Sequence, residues 1–456
     1  MRSNISLFIL LFKLSILANA YLIPSPRTGA RVIRSNSALY FFGGKLRTSR
    51  LGSPPPVYTS ELLKLDLSAT FNVDNPPWTR LPVNGQITPQ STAWSAFFPF
   101  DTNAQSLATL GGTNSSENQA NSYYVYNLTT QQWMVPTQTP PVSREGSAVV
   151  INHKQNIAYI FGGNALAPIS DVLDEVYKFD IKSGLLTRIE NSQLGKRAYH
   201  SATMLSNGNI VIFGGRLSLP FSQSYFDTAL VYTPLNNSWF NVSLNGAEFP
   251  GWRHDHTATA TSDDRIVMVG GFNSSGFGRV FDEHWELNTA SWTWKRIYPK
   301  SSTYRNTAIS GQSAIMIGPL LFIVMGVVFF DSLIMSHQVR ILNTSSYEFL
   351  DQYVPQQEWF QQDMGEINSS FPAGAVAGGV IGGVAAIAGI GAALWFMRRR
   401  QATTKTTKNE LLEEEHMDDD GNLKNLQKPD SLHSDSAMNE YNKPNIHSIT
   451  FQKPHE

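Results

Sequence analysis

The chain of 456 residues is 41% hydrophobic and 11% aromatic, enough apolar side chain to bury a sizeable core with further segments appended to it. Its net charge of −1 supplies no general attraction to nucleic acid or to an anionic membrane surface, so neither partner is expected from charge. The absence of cysteine excludes disulfides, thiolate metal sites and thiol nucleophiles together.

Residues 1–20 read as an export signal: Arg2 gives a positive start, Ile5 to Leu17 is mostly apolar, and Ala18-Asn19-Ala20 has the small-x-small pattern of a cleavage site. An uncleaved anchor is disfavoured because the apolar run is short and interrupted by Lys13.

From there to about residue 355 one phrase recurs, a short apolar run ending in two glycines. It occurs at Gly43-Gly44, Gly111-Gly112, Gly162-Gly163, Gly214-Gly215 and Gly270-Gly271. A sixth copy, Leu321 to Met325, ends in Gly326 with Val327 in the second place. The first glycines are 68, 51, 52, 56 and 56 residues apart, a repeat period. A second strand precedes each pair, as in His200-Ser201-Ala202-Thr203 and His256-Thr257-Ala258-Thr259. Turn formers lie between the two strands at Asn207-Gly208, Asp263-Asp264 and Gly318-Pro319. Downstream, Tyr126 and Trp133, Tyr232 and Trp239, and Trp285 and Trp292 are each seven apart and mark a second hairpin. Repeat three has Phe179 and Leu186 there, repeat six has Tyr347 at the second position, and Trp78 takes that part in repeat one. Four strands per unit and six units, without helical periodicity, predict an all-β, six-bladed propeller.

The glycine pair after an apolar strand, followed by a spaced Tyr and Trp, resembles the kelch motif, and the resemblance covers roughly residues 27–353. It extends to the central repeats of the galactose oxidases, but their chemistry relies on a cysteine that this chain lacks. The uncharged run Ser313 to Phe330 invites a rival reading as a membrane span. Its register with the sister repeats, and the turn at Gly318-Pro319, place it in the propeller instead.

A polar stalk is expected over 356–372, with no repeat signature. Ala373 to Met397 follows, uncharged, about 37 Å long as a helix and sufficient to cross a bilayer core of roughly 30 Å. Arg398-Arg399-Arg400 then predicts a cytosolic C-terminus, making the chain a single-pass type I protein of the plasma membrane. Asn114, Asn127, Asn236, Asn241, Asn273, Asn343 and Asn368 all stand in Asn-x-Ser/Thr sequons on the outer side of that span. Gly374, Gly378 and Gly382 share a helix face suited to self-association in the membrane. The polar tail, 398–456, is expected to be disordered.

For binding, the residues singled out are Arg27, Arg144, Arg197, His200, Arg253 and His256, at the starts of the first strands. They would meet near the channel as a polar, partly cationic rim suited to an acidic or hydroxyl-rich ligand. The competing reading ties the blades together through the same groups. His254-Asp255-His256 suggests a metal cluster, but strand alternation would put only the two histidines on one face, so no metal or cofactor is expected. No nucleophile or phosphate-loop motif is present. The expected function is non-catalytic: recognition of a protein or glycan ligand at the cell surface, in a layout resembling fungal surface proteins. The alternatives are a membrane-tethered carbohydrate-active enzyme using channel carboxylates, and a structural anchor.

Overall fold

The structure, a computed structural model, describes residues 22–46, 55–114, 122–138, 140–166, 169–217, 225–274, 278–300, 308–329 and 333–361. The expected signal, membrane span and tail lie outside these residues, as do Asn368, Gly374, Gly378 and Gly382. Among the described residues, no helix is long and apolar enough to cross a membrane.

Apolar runs separated by turn residues fold into antiparallel hairpins, and these pair in sequence order into six blades. Blade one comprises Arg31–Ser35, Ala38–Phe42, Leu62–Asp66 and Trp78–Arg80. Blade two follows with Ala96–Pro99, Ser106–Leu110, Tyr123–Asn127 and Gln132–Met134. Blade three uses Ala148–Asn152, Ile157–Phe161, Val176–Asp180 and Leu185–Ile189, and blade four Ser201–Met204, Ile210–Phe213, Thr228–Thr233 and Ser238–Ser243. Blade five has Thr257–Ala260, Arg265–Val269, His284–Asn288 and Thr293–Ile297; blade six has Ser313–Ile317, Leu320–Phe329, Leu333–Asn343 and Glu348–Leu350. The uncharged run from Ser313 is therefore a hairpin, turned at Gly318-Pro319 with Ile317 paired to Leu320.

The paired glycines join one blade to the next. Gly44, Gly112, Gly163, Gly215 and Gly271 donate their N–H groups to the carbonyls of Thr92, Arg144, Arg197, Arg253 and Ile309, at 2.8–3.0 Å. At Gly270, a Cβ would lie 2.2 Å from the Ile309 carbonyl oxygen, and φ is +67°, so both sterics and backbone demand glycine. The sixth copy corrects the alignment read from sequence. Gly326 (φ +101°) holds the second glycine's place and donates to Arg27 O at 2.8 Å, while Met325 (φ +64°) holds the first. A bulge between Val324 and Gly326 accommodates this, and the ring closes through it.

The outer hairpins show a second shift. Tyr126 pairs with Trp133, Phe179 with Leu186 and Tyr232 with Trp239, as the seven-residue spacing predicts. In blade five the equivalent pair is Leu287 and Trp294, not Trp285 and Trp292; in blade six it is Leu342 and Phe349, not Tyr347. Trp292 (φ +52°) and Tyr347 (φ +53°) occupy the left-handed turn position that Gly184 fills in blade three. On the third strand of blade five the slip stays on one face, because Trp285 and Leu287 are two residues apart and both are buried.

Apolar side chains of adjacent blades interleave into six buried clusters, one at each seam. The seam between blades six and one packs Phe322, Val324 and Ile341 against Leu39, Phe41 and Leu65, each side chain contributing about 1.5–3 kcal/mol. Gln352–Tyr353 pairs with Phe71–Asn72 of the first repeat across the same seam. The short helix Glu358–Gln361 lies there too: Arg34 donates to Trp359 O at 3.0 Å, and the Trp359 indole fills the space beside Gly318.

A candidate binding site at the channel mouth

Three arginines have one geometry. Arg27, Arg144 and Arg253 each donate from Nε to the carbonyl two residues earlier, from one terminal nitrogen to the first glycine of their own blade (Gly43, Gly162, Gly270), and from the other to a glutamate. The glutamates are Glu61, Glu175 and Glu283, at 2.6, 2.6 and 2.5 Å. The arginine side chains are 0–1% exposed. Burial lowers Arg253 to about 10 against the opposing pull of Glu283, so it remains cationic at neutral pH. Arg197 holds the Gly214 carbonyl at 2.8 Å and is likewise lowered to about 10 by burial. These groups hold strand starts and glycine turns together.

Two residues after each linking carbonyl, the chain passes through a left-handed conformation. The six positions are Gly29, Trp94, Gly146, Tyr199, Asp255 and Gly311, at φ from +55° to +69°. Their backbones form a closed loop around the channel mouth. Trp94 N–H donates to Gly29 O (2.7 Å), Gly146 to Trp94 (2.9 Å), Tyr199 to Gly146 (2.7 Å), Asp255 to Tyr199 (3.0 Å), Gly311 to Asp255 (3.0 Å) and Gly29 to Gly311 (2.8 Å). At Gly29 a Cβ would strike the Trp94 indole, and at Gly146 the Tyr199 ring, each within 2.7 Å; the glycines make room for the aromatics. The two rings meet edge to face, centroids 6.1 Å apart.

Around them lies a polar cluster. The Trp94 indole N–H donates to one Asp255 oxygen at 2.9 Å, and His254 Nδ1 lies 2.8 Å from the other. Arg216 stands 3.3 Å from His254 Nε2 and 5.1 Å above the Tyr199 ring. Burial by itself would raise the Asp255 carboxyl; the hydrogen bond and electrostatic pull of His254, with the guanidinium charges of Arg216 and Arg31, outweigh it and hold the group below its ordinary value. Glu145 goes the other way: burial raises it, and its hydrogen bonds to Tyr199 and Asn164 only partly offset that.

Below the mouth, the first strands enclose a cavity of about 170 Å³ whose wall includes Arg31, His200, Ser201, His256 and Gln312. His200 is 6% exposed, and neither ring nitrogen has a hydrogen-bond partner. Burial, with Arg197, His256 and Arg31 nearby, pushes it well below the usual imidazole value, and burial pushes His256 to about 3. Both imidazoles are therefore neutral at physiological pH.

Of the residues singled out in the sequence, His200 and His256 thus come together on the cavity wall. Arg27, Arg144 and Arg253 are buried behind it in their carboxylate and carbonyl contacts, and Arg197 is half-buried on the Gly214 carbonyl. His254 and His256 do not share a face, because the left-handed Asp255 breaks the expected strand alternation. His254 packs against Phe272, whereas His256 stacks on Phe213. Among the described residues, no group of three or more possible metal ligands occurs. Sequence reasoning missed Trp94, Tyr199 and the glutamate partners. A signal existed: Arg27-Thr28-Gly29 and Arg144-Glu145-Gly146 align with Arg197-Ala198-Tyr199 and Arg253-His254-Asp255, where a side chain replaces a glycine. Among the sequon asparagines, Asn236 and Asn241 are exposed, and Asn114 and Asn273 are half-buried. Asn127 and Asn343 cap outer turns, each accepting the N–H groups two and three residues on.

A family model described as the KLHDC2/KLHL20/DRC7 Kelch-repeats domain matches residues 31–246 and 101–326. Kelch domain-containing protein 3 of Rattus norvegicus is 28% identical over 247 residues, covering 50% of this chain and 62% of that protein. The Homo sapiens protein of the same name is 28% identical over 246 residues, with the same coverages of 50% and 62%. Kelch domain-containing protein 1 of Mus musculus is 24% identical over 334 residues, 65% of this chain and 76% of that protein. The chain therefore spans 62% of the length of the Kelch domain-containing protein 3 relatives it matches.

Proposed function

The chain belongs to the KLHDC2/KLHL20/DRC7 Kelch-repeats domain family, and on that premise we propose that it is a non-catalytic recognition protein whose protein partner docks on the mouth framed by Trp94, Tyr199 and Asp255. The observation that carries this reading is the left-handed backbone at those three positions. Glycine serves the other three without strain, whereas a bulky side chain there costs about 1–2 kcal/mol. Strain of that kind, held at a surface and bearing two aromatics and a carboxylate, marks a place where the side chains serve a ligand.

Replacing both Trp94 and Tyr199 with glycine tests it, because glycine suits the backbone. Cross-linking from a photoreactive residue placed beside Asp255 should give a discrete partner with the wild-type chain and lose it with the folded double variant. Retention of the same partner by that variant would refute the assignment.

As to setting, the proposal is display outside the cell from a single-pass type I anchor, supported by the N-terminal apolar leader, the uncharged run 373–397 with its basic flank, and the one-sided sequons. Endoglycosidase treatment should then sharpen and shift the band, and the Asn236→Gln and Asn241→Gln variants should each lose one glycan. An unshifted band would count against export.

One observation favours the carbohydrate-active alternative: Glu145 and Asp255, which influence one another electrostatically, are pushed to opposite sides of the carboxylate range, as an acid and base pair would be. Glu145→Gln abolishing turnover of an aryl glycoside would establish that reading over the first.

A further inference from the structure

The cavity beneath the mouth has a wall of unusual chemistry. Of its lining residues, Arg31 is cationic, His200 and His256 are neutral imidazoles, Gln312 is an amide, and none is a carboxylate. Several of these polar groups are incompletely paired although buried. His200 has both nitrogens unpartnered, His256 has Nδ1 unpartnered while Nε2 meets Ser201 Oγ at 3.0 Å, and Gln312 has Oε1 unpartnered while its nitrogen donates to Thr257 Oγ1 and Val269 O. His200 and His256 are 6% exposed and Gln312 is 2% exposed. Orphaned polar atoms at that depth destabilise the fold unless something in the cavity meets them.

The pattern of what is unmet narrows the ligand. A cation with neutral imidazole N–H groups calls for a negatively charged acceptor, and the wall itself carries no carboxylate, the nearest charge of that sign acting on it being Asp255 outside the lining. The Gln312 oxygen and the remaining imidazole nitrogens call for donors. A neutral polyol answers the second demand but leaves Arg31 only the carboxylate of Asp255, which is not part of the cavity wall, to offset its charge. A fully deprotonated oxyanion answers the first but sets lone pairs against the Gln312 oxygen. We propose that the central cavity is a binding site for a small oxyanion that still carries a proton, of the hydrogen phosphate class, held by Arg31, His200 and His256 and donating its own hydroxyl to Gln312. The 170 Å³ of space is many times what one water requires, so the anion fits with waters beside it. This site lies beneath the protein-docking mouth, whose Asp255 and Tyr199 act on Arg31 electrostatically, but anion binding there does not require a docked protein.

The test is titration calorimetry on the full chain at constant ionic strength, with inorganic phosphate, sulfate and galactose in turn. Sulfate has the shape and charge of phosphate but no proton at neutral pH. Phosphate should bind at one site, at least tenfold tighter than sulfate, with no heat from galactose. Arg31→Gln should weaken phosphate by at least tenfold and His200→Gln severalfold, while Arg80→Gln, half exposed on the outer strand of blade one, should leave it unchanged. Equal affinity for sulfate, tighter binding of galactose, or no binding of phosphate would each overturn the proposal. The comparison of phosphate with sulfate uses the unaltered protein, so it decides the matter even where a variant does not fold.

Discussion

Met325 offers a test in which two effects oppose one another. It occupies the place of the first glycine in blade six at φ +64°, and its side chain is 1% exposed within the apolar cluster between blades six and one. Restoring the repeat's own residue with Met325→Gly removes a left-handed strain of about 1–2 kcal/mol, but it also removes a buried side chain, a loss of about 2–5 kcal/mol. Extra freedom in the unfolded chain adds roughly 0.4–1 kcal/mol against glycine. Burial outweighs strain, and the variant should be less stable than wild type by about 2–4 kcal/mol. Met325→Ala forfeits the same packing and keeps the strain, so it should be worse than glycine by roughly 0.5–1 kcal/mol. That order, methionine above glycine above alanine, inverts what an ordinary buried strand position gives. Urea unfolding followed by tryptophan fluorescence would read it from the midpoints at constant slope. A glycine variant at or above wild type, or an alanine variant equal to or better than glycine, would refute the reasoning.

Two further outcomes follow from buried charge. Glu283→Gln leaves Arg253, 0% exposed, without its counter-ion and should cost about 3 kcal/mol in the same unfolding assay; Glu175→Gln should cost less, because Glu175 is 20% exposed against 11% for Glu283. A smaller loss at Glu283 than at Glu175 would contradict this. Acid should weaken the fold through its buried histidines, starting above the ordinary carboxylate range. Burial holds His256 at about 3, His284 at about 4 and His200 well below its ordinary value, whereas all three titrate near 6.5 once unfolded. Between pH 6.5 and about 4 the unfolded chain takes up protons that the folded chain refuses. Stability is therefore complete above pH 6.5 and falls as pH drops, by up to about 1.4 kcal/mol per unit for each histidine. Urea midpoints unchanged between pH 7 and 5 would count against it, and His200→Gln should flatten the slope by about a third.

The number of blades is legible in the sequence because in five of the six blades the glycine pair answers a steric demand, as the carbonyl of Ile309 pressing on Gly270 shows, and in the sixth Gly326 keeps the second place while Met325 takes the first. Register at the outer hairpins of blades five and six is not, because Trp292 and Trp294 are both plausible core aromatics and only the turn's left-handed position separates them. The partners of the three buried arginines escape a linear reading for a different reason. Each glutamate lies 30–34 residues downstream, across loops of unequal length, so no fixed offset reveals it. The site was half visible. His200 and His256 stand out as polar residues in an apolar repeat, but Trp94 and Tyr199 gain their place from a backbone conformation that glycine usually signals and aromatics conceal.

The six peptide groups at the channel mouth run head to tail in one rotational sense and return to their start. Each is polarised by a neighbour on both sides, with no frayed terminus at which opening can begin. Their dipole components around the circle also cancel, unlike those of a helix, whose aligned peptides leave a fractional charge at each end. The rim itself therefore attracts neither sign of charge. Discrimination at this doorway falls to the three side chains that interrupt the glycines, and exchanging them would retune it without disturbing the frame.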